Sequence, residues 1–230
     1  MSLTLIVLAG FCPPAPRAIQ YADTLAQAVD GKLVLLQVNR ASLLDPHDVA
    51  TPDYYQEELA RQTDTVAVLY QQVEHLRTTA TVEVATDLLP AVAQDLANRC
   101  QSALFVLGQS AEAHPATDLV TSCAEILRAG HYPLLVVAST APTDHPPRRI
   151  LIAADRESFT LAPEVYFLRQ LLALPGAEVL VAHVVSGGKD EAGSALALRA
   201  VRASGLVDGL PVPEVREYEH EHYDQGLLAA

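Results

Sequence analysis

The residues from Gly108 to Asp118 include Ser110, His114 and Asp118, the residue types of a hydrolase triad. They share one polar loop without the strained strand-to-helix turn that raises a serine as a nucleophile, so the combination implies no acyl-transfer chemistry. His220 and His222 alternate with Glu219 and Glu221. Residues two apart on a strand share a face, so the two imidazoles have metal-ligand spacing, although a solvated strand end has the same pattern. Cys12 follows the first apolar run, where a reactive thiol could do redox chemistry, but Arg17 is its one basic neighbour in sequence and a packed cysteine is the simpler reading. The three cysteines, Cys12, Cys100 and Cys123, are too few and too scattered for a disulfide framework or a zinc site. Asp155 ends another apolar run, where its carboxylate can cap the following turn. His183, in VAHVV, falls on an apolar strand and reads as a satisfied core histidine. No candidate catalytic constellation emerges, and the expectation is a non-enzymatic protein.

Charge narrows the partners. With 15 Lys and Arg against 28 Asp and Glu, the net charge of −13 repels phosphate backbones and anionic headgroups, so nucleic acid and membrane surfaces are poor partners. The longest apolar runs, such as Leu104 to Leu107 and Leu134 to Ala138, fall far short of the ~20 residues that span a bilayer. The start, MSLTLIVLAGFC, has no Lys or Arg before its apolar stretch and reads as a strand rather than a signal. A reducing cytoplasm is the expected location.

The elements that must position these residues follow from periodicity. Leu3 to Ala9 is a continuous branched apolar run, as in a strand buried on both faces of a parallel sheet. Ala18, Ala22, Leu25, Ala26 and Val29 then recur at helical spacing, and Gly31 stands where a helix end wants a residue tolerant of positive φ. Lys32 to Val38 is a second strand and Ser42 to Asp53 a loop. A second helix should bury Leu59, Thr63, Val66, Tyr70 and Val73. Thr79 to Ala85 is a third strand, a third helix carries Leu89, Val92, Leu96 and Cys100, and Ala103 to Leu107 is a fourth strand. Leu119, Cys123, Ile126 and Leu127 mark a fourth helix stopped by Gly130, and Leu134 to Val137 is a fifth strand. Alternating strands and helices imply a doubly wound parallel five-stranded sheet, expected order 3-2-1-4-5, over residues 1 to 140.

After a proline-rich linker, Ala141 to Pro147, the pattern restarts. RILIAAD at Arg149 to Asp155 mirrors TLIVLAG at Thr4 to Gly10, and EVLVAHVV at Glu178 to Val185 mirrors KLVLLQVN at Lys32 to Asn39, at nearly equal offsets of 145 and 146 residues. That is an internal duplication. Pro163 to Leu174 repeats the first helix, Pro213 to His220 the third strand, and Gln225 to Ala230 the start of the third helix. Residues 148 to 230 are thus expected to be an incomplete second copy without the last two strands, from a protein that is either short or longer than this chain.

In an open α/β sheet the ligand crevice lies beyond the carboxyl ends of the strands where the order reverses, here Gly10 to Pro16 and Gly108 to Ser122. With these runs, the duplication and the ending HYPLLVVA at His131 to Ala138, the chain resembles the universal stress protein family, tandem type, whose fold is adenine nucleotide α-hydrolase-like. Family members that bind ATP carry an Asp after the first strand and a loop written Gly, two residues, Gly, nine residues, Gly, then Ser or Thr. Glycines there let backbone N–H groups approach phosphate at a helix N-terminus. The resemblance places the family's ATP-site positions at Gly10, Val38, Gly108, Ala111, Thr121, Ser122 and, in the second copy, Asp155. Gly108 and Ser122 match the loop, Ala111 and Thr121 replace its other glycines, and Gly10 stands at the acid position. Glu112 and Asp118 add negative charge. The loop is therefore expected to be degenerate, with no cofactor, and ATP as the one candidate should binding occur. Asp155 keeps the acid, as a turn cap or a remnant adenine or ribose contact. The resemblance implies a stress-response protein acting by association and weak ligand binding, the alternative being an ATP/AMP-binding switch or slow ATPase. It also implies a homodimer through the edge strand Leu134 to Val137; an incomplete second copy without its fourth strand would leave its first strand a free side, so the first strands of the second copy are the other expected contact. Other protein partners are not specified.

Overall fold

The computed structural model describes residues 2–9, 15–38, 52–85, 87–100, 102–109, 119–185, 190–222 and 225, with backbone alone at 52–59, 61–62 and 119–120. The chain divides into two compact units, Met1–Pro146 and Pro147–Ala230.

In the first unit, β1 (Thr4–Leu8), β2 (Lys32–Val38), β3 (Ala80–Ala85), β4 (Ala103–Gly108) and β5 (Leu134–Val137) form a parallel sheet in the order β3-β2-β1-β4-β5. Thr4 of β1 lies opposite Lys32 on one side and Ala103 on the other. Every residue of β1 is buried, as a central strand covered on both faces requires. The helices are α1 (Ala15–Ala28), α2 (Pro52–Val73), α3 (Leu89–Cys100) and α4 (Leu119–Ala129). Ile6, Val34, Leu36 and Phe105 of the strands pack with Leu89 and Leu96 of α3 and with Cys123 and Leu127 of α4 in one apolar cluster.

Three local expectations need correction. Among the described side chains of α2 the deeply buried one is Leu69, with Val66 and Val73 half-buried, while Thr63 and Tyr70 are exposed; the side chain of Leu59 lies outside the described residues. The run Val66, Val68, Leu69, Tyr70 is apolar around much of the helix, so periodicity alone left its phase open. The helix also begins at Pro52, inside the stretch read as loop, using the fixed φ of proline in its first turn. At the ends of α1 and α4 the left-handed residues are Asp30 (φ 51°) and His131 (φ 58°), next to the glycines expected there. Gly31 is needed for space instead: a Cβ would lie 2.8 Å from the carbonyl oxygen of Leu3.

The second unit has a parallel sheet ordered β6-β7-β8, from β6 (Arg149–Ala153), β7 (Glu178–Val185) and β8 (Glu214–Glu219). The helix expected over Pro163 to Leu174 is broken into a single 3-10 turn, Pro163–Val165, and the short α5, Leu168–Leu172. A further helix, α6 (Glu191–Ala203), was not anticipated. Asp190 caps it, its Oδ1 accepting the N–H of Gly193 at 2.9 Å. Val201 of α6, Val181 of β7 and Leu172 of α5 share the core with Leu161, Leu206 and Val207. Of the stretch from Gln225 to Ala230, only residue 225 is described.

Candidate functional site

The carboxyl ends of β1 and β4 bring together the described rim of the expected crevice. Val38, the last residue of β2, is fully buried beside Ala85 of β3, so it offers backbone rather than side chain. Gly108 ends β4 and is buried against Val137 of β5. Thr121 and Ser122 stand exposed on α4. Gly10 and Ala111 lie outside the described residues, as do Cys12, Ser110, His114 and Asp118. The structure thus places Val38, Gly108, Thr121 and Ser122 within one unit at the expected end of the sheet.

In the second unit Asp155 is exposed, and its Oδ1 accepts the N–H of Glu157 at 2.9 Å. This is the turn-capping role read from its position. His183 is buried, but it is not the satisfied histidine expected. Its Nδ1 lies 3.4 Å from the carbonyl oxygen of Ala154, and its Nε2, 3.8 Å from Asp190 Oδ2, has no hydrogen-bond partner. Asp190 also pairs with Arg156. The N–H of Gly193 and then the charge of Arg156 hold its carboxyl below the usual value, against the opposing effect of burial. Ser194 donates to Glu217 Oε1 at 2.6 Å, not to His183, so these residues make no charge-relay geometry. His220 and His222 have ring centroids 6.1 Å apart, and the described residues hold no group of three or more His, Cys, Asp or Glu able to bind a metal. Cys100 is half-buried and Cys123 buried.

Sequence reasoning missed Asp23. It is buried on α1 and accepts the N–H of Thr78 at 2.9 Å and of Arg77 at 3.3 Å, tying α1 to the turn before β3. It lines a cleft of about 500 Å³ with Ile19, Gln72, His75 and Thr143. The one available signal was an acid on the apolar face of α1, between Ala22 and Ala26. A second cavity, about 630 Å³, lies between α6 and the segment before β8, with Arg199 and Arg202 in its lining. No described helix is long and apolar enough to cross a membrane.

A solved universal stress protein from Archaeoglobus fulgidus aligns over 94% of this chain and 76% of its own, with a TM-score of 0.61 and 15% identity. The fold is that of universal stress proteins. Universal stress protein UspA from Lactobacillus plantarum aligns over 60% of this chain and 99% of its own, with a TM-score of 0.45 and 19% identity. No family model and no curated protein matches the chain. The Archaeoglobus alignment extends over both units, and in the first unit of this chain the β1 and β4 ends meet where the strand order reverses.

Proposed function

We propose that this chain is a non-enzymatic, cytoplasmic universal stress protein of tandem type that acts through association, its crevice taking ligand weakly if at all. The observation carrying this reading is the crevice itself. Gly108 ends β4 and Ser122 stands on α4, the two positions that match the resembled phosphate loop, while its two other positions carry Cβ atoms, in Ala111 and Thr121, and the acid position is Gly10. Side chains at glycine positions hold phosphate away from backbone N–H groups, and Glu112 and Asp118 repel it. The exposed Ser122 hydroxyl and the Gly108 strand end favour the second reading, an ATP/AMP-binding switch or slow ATPase. Calorimetric titration with ATP, ADP and AMP separates the two. No binding at micromolar concentration is expected, and a micromolar Kd would overturn the first reading in favour of the second.

The outer edge of β5 supports the reading of association. Phe105 and Gln109 donate to the carbonyls of Pro133 and Val137, so the backbone groups of Leu134 and Val136 point away from the sheet. Val136 is 48% exposed. A homodimer through Leu134 to Val137 would pair these groups.

A further inference from the structure

His183 takes no part in the function proposed above, and its surroundings are unusual for a core histidine. The side chain is only 5% exposed, and Nε2 has no hydrogen-bond partner among the described residues. Its Nδ1 lies 3.4 Å from the carbonyl oxygen of Ala154, just past the end of β6. A carbonyl only accepts, so in the neutral ring this contact places the proton on Nδ1 and leaves a bare lone pair on Nε2. That lone pair faces Asp190 Oδ2 at 3.8 Å. Two acceptors thus meet in a buried place with no proton between them, and a proton on Nε2 would turn the contact into a bond.

The local backbone is shaped for this meeting. At residue 193, in the first turn of α6, a Cβ would lie 2.7 Å from Nε2 and would overlap the Asp190 carboxyl, so glycine there lets the imidazole reach the helix start. The charged groups around the ring come from three elements. Asp190 caps α6, its Oδ1 held by the Gly193 N–H at 2.9 Å, and Glu191 beside it is exposed. After β6, Arg156 pairs with Asp190 Oδ2, the oxygen that faces His183, while the exposed Asp155 accepts the N–H of Glu157. Glu217 of β8 stands opposite His183 in the strand register and is engaged by Ser194 Oγ at 2.6 Å and by the Asp190 N–H at 3.4 Å. Lys189 lies outside the described residues.

We propose that His183 is a proton-binding site that controls Arg156: a proton taken up from solvent on Nε2 makes the ring a donor to Asp190 Oδ2, and Asp190 exchanges the guanidinium for the imidazolium. Nε2 and Oδ2 must approach by roughly 1 Å to bond, a movement within reach of side-chain rotation. The buried contact prevails because a charge-assisted hydrogen bond shielded from water is stronger than an ion pair that solvent reaches, and Arg156 is 59% exposed. Two cations on one carboxylate oxygen also repel each other. The Gly193 N–H holds the Asp190 carboxyl below its usual value, so it stays ionised while an imidazole titrates. The consequence appears at the carboxyl end of β6. Arg156, next to Asp155, is pinned to the start of α6 when His183 is neutral and swings free when it is charged.

The test follows both side chains by nuclear magnetic resonance in the full, isotope-labelled chain. Ring nitrogen signals report the protonation of His183, assigned by their loss in His183→Gln, and the Nε–Cζ correlation reports Arg156, assigned by its loss in Arg156→Gln. Near roughly pH 8 the His183 ring should carry its proton on Nδ1 alone. As the pH falls to roughly 5 it should become doubly protonated, while the Arg156 signal moves to that of a free guanidinium with the same midpoint. In His183→Gln the Arg156 signal should stay constant over that range. In Asp190→Asn, which keeps a good cap, it should hold the free position at every pH, a comparison that stands even if the buried glutamine fails to fold. A His183 ring that stays neutral throughout would overturn the proposal, as would one that titrates and leaves the Arg156 signal unmoved. Loss of the circular-dichroism signal over the same range would overturn it too, because the change would then be unfolding rather than an exchange of partners.

Discussion

Replacing Asp23 by alanine tests whether a buried carboxylate fastens α1 to the turn before β3. Asp23 accepts two backbone N–H groups, at 2.9 Å from Thr78 and 3.3 Å from Arg77. A hydrogen bond to an ionised acceptor contributes about 1.5–3 kcal/mol, and the longer bond belongs at or below the bottom of that range. Water from the adjacent cleft can reach the freed N–H groups and offset part of the loss, which points to about 2–3 kcal/mol in total. The Arg77 guanidinium adds little, being 60% exposed and 4.0 Å away. The first unit spans Met1–Pro146. At ~2.1 cal/mol/K of unfolding entropy per residue, that loss lowers its Tm by about 6–10 °C. Differential scanning calorimetry of the full chain, with the transitions of the two units resolved, measures it. Asp23→Asn should fall between wild type and alanine, since the amide keeps one acceptor but turns a donor toward the other N–H. An alanine variant melting within about 1 °C of wild type would refute the reasoning, because charge-accepting bonds of this kind cannot cost so little when broken in a buried site.

Phe105→Ala should destabilise the first unit by about 3–5 kcal/mol in urea denaturation, as the ring is fully buried and lies 5.5 Å, centroid to centroid, from Tyr132. A loss below about 1 kcal/mol would contradict the core packing described. The second unit should lose stability in acid. The folded carboxyl of Asp190 is held below its usual value of 3.8, so its contribution is complete above that pH and is lost as pH falls through the lower folded value. Asp190→Asn should flatten the acid limb of the stability profile followed by circular dichroism, and an unchanged limb would show that neither the Gly193 N–H nor Arg156 favours the carboxylate in the folded chain.

Much of the fold was legible because strands buried on both faces leave an unambiguous trace. Leu3 to Ala9 and Ala103 to Leu107 are continuous branched runs, and the short helices between them allow few topologies other than a parallel sheet. The duplication was equally visible, since two matched strands at nearly one offset identify a repeated unit without any coordinates. Helix phase was not legible where apolar residues crowd, as Leu69 and Tyr70 show. Nor could composition tell which of Asp30 and Gly31 takes the left-handed conformation, because the need for glycine at 31 comes from the Leu3 carbonyl of a distant strand.

The candidate site divides along the same line. Local sequence alone determined that Ala111 and Thr121 stand where the resembled family has glycines and that no acid follows the first strand, because residue identity is local information. It also determined that Asp155 could cap a turn, an interaction reaching only two residues ahead. Tertiary structure decided what depends on distant partners. It took Asp23 from an ordinary helical position to a buried acceptor for the turn before β3, and it left His183 Nε2 without the partner a core histidine should have. Hydrogen bonding of this kind is a property of groups far apart in the chain, so no local reading of the residues could supply it.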